Sequence, residues 1–194
     1  MTRTSGKGGP RPGPRWIPGD PQGKAMVDRI VRVDHAGEYG ATRIYAGQIA
    51  ILGDRHAAAP ELRHMLEQEQ EHLAAFEKMI VERRVRPTAL TPLWHVAGFA
   101  LGATTALMGE KAAMACTVAI EEAIDEHYAG QARALEGLPE EGELKAVVEK
   151  FREDELEHRD TALAHGAEQA PAYPVLSAAI KGGSRLAIWL SERI

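Results

Sequence analysis

The chain has 194 residues, 44% of them apolar and 26% charged, with a formal net charge of −5. That length suits one domain with its own core, and the acidic balance gives no case for nucleic-acid binding. The single cysteine, Cys116, excludes an internal disulfide framework and a thiolate zinc site, and it fits a reducing compartment.

Residues 1–23 are rich in Gly, Pro and Arg, with Asp20 the only acid. They lack the apolar core of a secretory signal and read as a disordered tail. Residues 24–194 then form a single domain that is helical almost throughout, with no alternating run long enough for a strand.

Gly and Pro divide this domain into six helices. The first runs from about Lys24 to Leu52 and stops near Gly53. The second starts after Pro60 and continues to about Arg84. Pro87 and Pro92 bracket a turn before the third, Leu93 to Leu107. Gly109 separates that from the fourth, Glu110 to Glu136, and Gly137 and Pro139 make the next turn. The fifth runs from about Glu140 to His165. Pro171 and Pro174 precede the sixth, Val175 to Glu192. Helices 1, 2, 4 and 5 are long enough to build a four-helix bundle.

Helix 3 is apolar nearly all round and needs a cover of protein or lipid. Helix 6 is amphipathic, with Leu186, Ile188, Trp189 and Leu190 against Lys181, Arg185 and Arg193, which suit lipid headgroups. Both helices either pack on the bundle or meet a membrane surface. No stretch reads as a spanning helix: the most apolar window, Leu93 to Ile120, is broken by Glu110 and Lys111, and a span needs about 20 apolar residues.

Two Glu-x-x-His pairs carry the chemistry. Residues three apart share a helix face, so Glu69 with His72 on helix 2, and Glu155 with His158 on helix 5, can each address one centre. Both pairs interrupt apolar stripes. Leu62, Met65, Leu66, Leu73, Phe76, Met79 and Ile80 surround the first; Leu144, Val147, Val148, Phe151 and Ala162 surround the second. Glu67, Glu71 and Glu157 fall off these stripes. Carboxylates on a core face need a metal, a cation or a proton.

Helices 1 and 4 add one carboxylate each. Glu38 sits within the stripe Val27, Val31, Asp34, Ala41, Tyr45, and Glu121 within Met114, Thr117, Val118, Ile124, Tyr128. Glu122 lies about 100° around the helix from Glu121 and is expected to face solvent. The chain thus repeats one helix-pair plan: a lone Glu, then Glu-x-x-His. That is the ligand set of ferritin-like di-iron and di-manganese bundles. Asp34 and Asp154 lie near the ligand faces and are candidates to accept the outer N–H of a metal-bound His. His127 and Tyr128 are low-ranking candidates to line a substrate or proton path, with ordinary packing as the alternative.

Several local runs go further. Arg32-Val33-Asp34-His35-Ala36-Gly37-Glu38-Tyr39-Gly40-Ala41 resembles the demethoxyubiquinone hydroxylase family of ubiquinone biosynthesis. So do Arg84-Val85-Arg86-Pro87-Thr88, Pro92-Leu93-Trp94, Gly98-Phe99-Ala100-Leu101-Gly102, Ala113 to Ala119, Ala170-Pro171-Ala172-Tyr173 and Leu190-Ser191-Glu192-Arg193. The likeness runs from about Val27 to the end. It implies an all-α ferritin-like fold and a monooxygenase that hydroxylates the ring of demethoxyubiquinol, a polyprenylated quinol. It further implies two Fe ions, O2 as co-substrate and electrons ultimately from NADH. The family's iron ligands carry over onto Glu38, Glu69, His72, Glu121, Glu155 and His158. The resemblance also implies a peripheral place on the inner or cell membrane, on its cytoplasmic side (the mitochondrial inner membrane in a eukaryote), and a partner protein that presents the lipid. The competing expectation is an iron-storage or peroxide-detoxifying bundle of the ferritin or rubrerythrin kind.

Overall fold

The computed structural model describes residues 22–194, and the expected tail, apart from Gln22 and Gly23, lies outside them. Six α-helices make the fold: α1 Lys24–Leu52, α2 Ala59–Glu82, α3 Thr91–Leu107, α4 Glu110–Leu135, α5 Gly142–Ala164 and α6 Tyr173–Ser191. Short 3-10 turns, Pro139–Glu141 and Ala167–Gln169, flank α5, and no strand occurs among the described residues. The all-α expectation holds, with one systematic difference at the helix starts. Pro60, Pro92 and Pro174 each lie inside the first turn of α2, α3 and α6 instead of ahead of it. The N–H groups of the first turn have no acceptor within the helix, so proline loses no bond there, and its fixed φ already suits a helix.

α1 pairs with α2 and α4 with α5, and the two hairpins meet through α1–α4 and α2–α5 contacts. Two apolar plugs close this bundle. One joins Val27, Val31, Phe76, Leu135, Leu144 and Val148; the other joins Leu62, Met65, Met114, Val118 and Ala162. In every long helix, the metal-ready residues found in the sequence fall between the two plugs.

α3 packs along α1 and reaches α4, while α6 packs on α4 and touches α1. The contact of α3 with α1 depends on missing side chains. A Cβ on Gly98 would stand 2.8 Å from the carbonyl oxygen of Gly40, and one on Gly102 would run into the Ile44 carbonyl. From the other side, a Cβ on Gly47 would strike the Phe99 carbonyl. Backbone therefore meets backbone, as in close helix pairs built on small residues. Gly109, at φ 107°, then allows α3 to turn directly into α4.

The outer side of this layer is apolar. Leu93, Val96, Phe99, Leu107 and Met108 on or beside α3, and Val175, Leu186 and Trp189 on α6, are all exposed, Val96 by 66% and Val175 by 71%. Lys181 and Arg185 are not free on α6: they pair with Glu122 and Glu126 of α4. Glu122 is accordingly half-buried under Lys181 and not openly solvated. No described helix is long and apolar enough to cross a membrane.

The glycine contact makes a stability prediction. Gly102→Ala forces main chain apart and costs about 1–3 kcal/mol, the usual range for overpacking. Gly182→Ala, at an α6 position with nothing within 4 Å, gains about 0.5–1 kcal/mol from helix propensity. Urea denaturation of both variants checks this; an unchanged midpoint for Gly102→Ala would show that α3 is not held by close backbone approach.

Candidate metal centre

Glu38, Glu69, His72, Glu121, Glu155 and His158 converge at the middle of the bundle, and none is more than 2% exposed. They form two overlapping groups, Glu38, Glu69, His72 and Glu155, and Glu69, Glu121, Glu155 and His158, each with one donor atom per residue within 4.8 Å of all the others. Glu69 and Glu155 belong to both. The cluster could hold a metal pair: Glu69 and Glu155 would serve both donor groups, each completed by one further Glu and one His. Glu67, Glu71 and Glu157 lie exposed on the outer faces.

The donor atoms are poised for a cation. Both oxygens of Glu69 and of Glu155, the second oxygens of Glu38 and Glu121, and Nδ1 of His72 and His158 are buried without a hydrogen bond. His72 Nδ1 stands 3.5 Å from Glu38 and 3.3 Å from Glu155; His158 Nδ1 stands 3.3 Å from Glu69 and 3.2 Å from Glu155. Among the described residues, no Lys or Arg reaches these four carboxylates. Arg159, which borders the stripe in sequence, pairs outward with Asp160. Orphaned buried polar atoms are costly, so inward-facing oxygens and nitrogens of this kind fit divalent metal.

The electrostatics record the same demand. Burial, then the charge of Glu155, pushes Glu69 and Glu121 well above the ordinary carboxylate range. Burial would raise Glu155 too, but the adjacent imidazoles of His158 and His72 outweigh it and hold it at about 2. Burial opposes a charge on His72, yet its contacts with Glu155 and Glu38 raise it to about 10. Metal binding at His72 Nδ1 requires that nitrogen to give up its proton.

Further contacts orient the cluster from outside. The Tyr128 hydroxyl donates to Glu38 Oε1, and the Tyr45 hydroxyl donates to Glu121 Oε1 at 2.8 Å. Burial and the adjacent carboxylates lift both phenols far above their usual range, so both stay protonated donors. Asp154 Oδ2 lies 3.2 Å from His72 Nε2 and is held from outside by Lys150. Gln68 Oε1 lies 3.0 Å from His158 Nε2.

Asp154 therefore stands where an outer acceptor was expected, but Asp34 does not. Asp34 touches neither ligand histidine; it accepts from Gln131 at 2.6 Å and lies 3.5 Å from His127. The reason is axial position: Asp34 shares the face of Glu38 but lies one turn before it on α1, level with Gln131 of α4 and not with the histidines of α2 and α5. Of the two other candidates, Tyr128 contacts a ligand directly and His127 only the Asp34–Gln131 pair. His95 bonds Tyr39, and His56 and His165 flank Glu110, all away from the cluster. Tyr45 and Gln68 were not singled out from sequence. A signal existed for the tyrosines: each follows the lone Glu of its helix by seven residues, two turns along the same face.

The chain is similar to known proteins along most of its length. The model of the family described as "Ubiquinone biosynthesis protein COQ7" matches residues 25–191. The 3-demethoxyubiquinol 3-hydroxylase of Rhodospirillum rubrum is 63% identical over 180 residues, covering 92% of this chain and 83% of that protein. The human mitochondrial NADPH-dependent 3-demethoxyubiquinone 3-hydroxylase is 58% identical over 173 residues, 88% of this chain and 79% of that one. The mitochondrial 5-demethoxyubiquinone hydroxylase of Saccharomyces cerevisiae is 46% identical over 184 residues, with the same coverage of 88% and 79%.

The raised Glu69 carboxyl sets a pH-dependent prediction. Between the ordinary carboxylate pKa and its raised folded value, the native state binds more protons than the unfolded chain, so stability falls as pH rises. Glu69→Gln removes that loss. Stripped of metal at pH 8, the variant melts above the stripped parent, by about 2–4 °C for each kcal/mol gained, and the gap closes towards pH 4; it also binds less metal. Calorimetry at the two pH values checks this, and a lower melting temperature at pH 8 would mean that Glu69 anchors the fold.

Proposed function

The chain belongs to the COQ7 family of ubiquinone biosynthesis proteins, and we propose that its central cluster is the di-iron centre of a 3-demethoxyubiquinol 3-hydroxylase. The observation that carries the reading is the sharing of Glu69 and Glu155 between two donor groups, each completed by one further Glu and one His. Carboxylates suit this chemistry because they can bridge two ions and change their mode of binding. Two iron ions held there would supply dioxygen activation and the redox steps that place a hydroxyl on the quinol ring, with electrons ultimately from NADH or NADPH. The second of these donors appears in the name of the human relative.

The chain's own residues do the rest. Glu38 with His72 would hold one ion and Glu121 with His158 the other. Tyr128 and Tyr45 each bind one oxygen of a terminal carboxylate, which leaves its second oxygen free for metal. The plugs of Val27, Val31, Phe76 and Leu144, and of Leu62, Met65 and Met114, keep water from both ends of the site and so strengthen its fixed electrostatics.

A polyprenylated quinol dissolves in lipid and hardly in water, so the substrate is drawn from a bilayer. The apolar outer face of α3 and α6 supports a peripheral seat on a membrane surface, an inner membrane where the cell is eukaryotic, as the mitochondrial relatives suggest. A packed apolar cluster of Ile44, Leu101, Ile120 and Ile180 joins α3 and α6 to the two helices that carry the lone glutamates. A lipid-presenting partner protein would use the same side.

Two experiments test the reading. Iron(II)-loaded protein, given a demethoxyquinol analogue, isotopic dioxygen and a reductant, is expected to put label in the hydroxylated product. Glu155→Ala abolishes turnover and lowers iron content, whereas Glu157→Ala does neither; two bound irons with no labelled product would favour a ferritin-like role. The double variant Val96→Glu, Trp189→Glu is expected to lower co-flotation with phospholipid vesicles at least about tenfold, since each buried apolar side chain contributes about 1.5–3 kcal/mol. Its iron content stays unchanged. Flotation equal to that of the parent would remove the membrane seat.

A further inference from the structure

The halves of the site repeat each other in geometry but not in charge. Glu38 and Tyr45 on α1 match Glu121 and Tyr128 on α4, and each Tyr bonds the Glu of the opposite helix. Three residues beyond each Tyr stands a glutamine. Gln131 donates to Asp34 at 2.6 Å, and Gln48 donates towards Thr117 at 3.4 Å; Asp34 and Thr117 each precede their lone Glu by four residues. The residue before the Glu of each Glu-x-x-His pair bonds the His of the other pair: Asp154 to His72, Gln68 to His158. At two places where the repeat breaks, an acid stands on the Glu38–His72 half and a neutral group on the Glu121–His158 half.

We propose that the two metal positions are inequivalent, and that the Glu38–His72 position takes the first and more tightly held ion because Asp154 backs its histidine where a neutral amide backs the other. This rests on the reading of the cluster as a two-metal centre. A carboxylate that accepts the outer N–H of a ligand imidazole fixes the ring and makes its inner nitrogen a stronger donor, and losing such a partner typically costs 10–100-fold in metal affinity. A glutamine carbonyl fixes the ring without adding a charge. Lys150 bonds both oxygens of Asp154 and offsets part of its charge, but Lys150 is 62% exposed and screened by water, while Asp154 is only 14% exposed and also reaches His72. The His72 ring is further locked by stacking on Phe151 at 3.9 Å between centroids. The position matching Phe151 in the other pair is Met65, which is flexible and gives His158 no such platform. Asp154 is thus a positioning residue that acts on the metal through His72.

Anaerobic equilibrium dialysis of metal-free protein against iron(II) tests the proposal. Two ions bind per chain in two steps, with affinities at least about tenfold apart. His158→Ala keeps the tight step and His72→Ala loses it. Asp154→Asn, of the same shape, weakens the tight step by about 10–100-fold and spares the other. Gln68→Glu strengthens the weak step and narrows the gap, a gain that damage to folding could not produce. Two equal steps in the parent, or a tight step that survives His72→Ala, would overturn the proposal. Fewer than two ions at saturation would instead overturn the two-metal reading.

Discussion

Four carboxylates and two imidazoles share a centre from which water is excluded, and everything else in the structure answers to that burden. Desolvated like charges repel and lose hydration, so the carboxyl groups cannot all ionise without a cation among them. The divergence within the cluster shows the strain: Glu155 held down by two histidines, Glu69 and Glu121 pushed up. A divalent pair would relieve it, because four negative charges and two neutral imidazoles would balance two doubly charged ions. The long helices are needed because only rigid elements, plugged by apolar side chains at both ends, can force such groups together.

Much of this was legible in the residues themselves. Glu69, His72, Glu155 and His158 interrupt apolar stripes at a spacing that leaves no choice of face, and the lone Glu38 and Glu121 sit mid-stripe on helices whose period is clear. The choice of Glu121 over Glu122 followed from the angle between successive residues, and the structure places Glu121 in the cluster and Glu122 beside Lys181. What the stripe could not give was partnership across helices. Asp34 and Asp154 looked alike on their own helices, and only the packing of α2 against α5 puts Asp154 on His72 while α4 claims Asp34. Helix starts were misplaced at Pro60, Pro92 and Pro174 for a local reason: a proline that ends one helix is welcome in the first turn of the next.

The layer outside the bundle follows a different logic. α3 has too little side chain at Gly98 and Gly102 to interdigitate, so it lies flat on α1 and turns its bulk outward. A helix buried on its small side and bare on its large side is the reverse of an ordinary surface helix. Its neighbour α6 behaves similarly, with its cations already tied down to α4. The pair presents an apolar surface whose position against the bundle is fixed, on the side where α1 and α4 offer their lone glutamates.

The crossed tyrosines bear on how the two halves depend on each other. Tyr45 belongs to the first hairpin and serves a glutamate of the second; Tyr128 does the reverse. Neither hairpin owns a finished set of ligands or the donors that hold its own carboxylate still. If the backbone were severed near Gly109, the fragments would be mutually obligate: each would be a poor chelator alone, and recovery of the centre would report their reassembly.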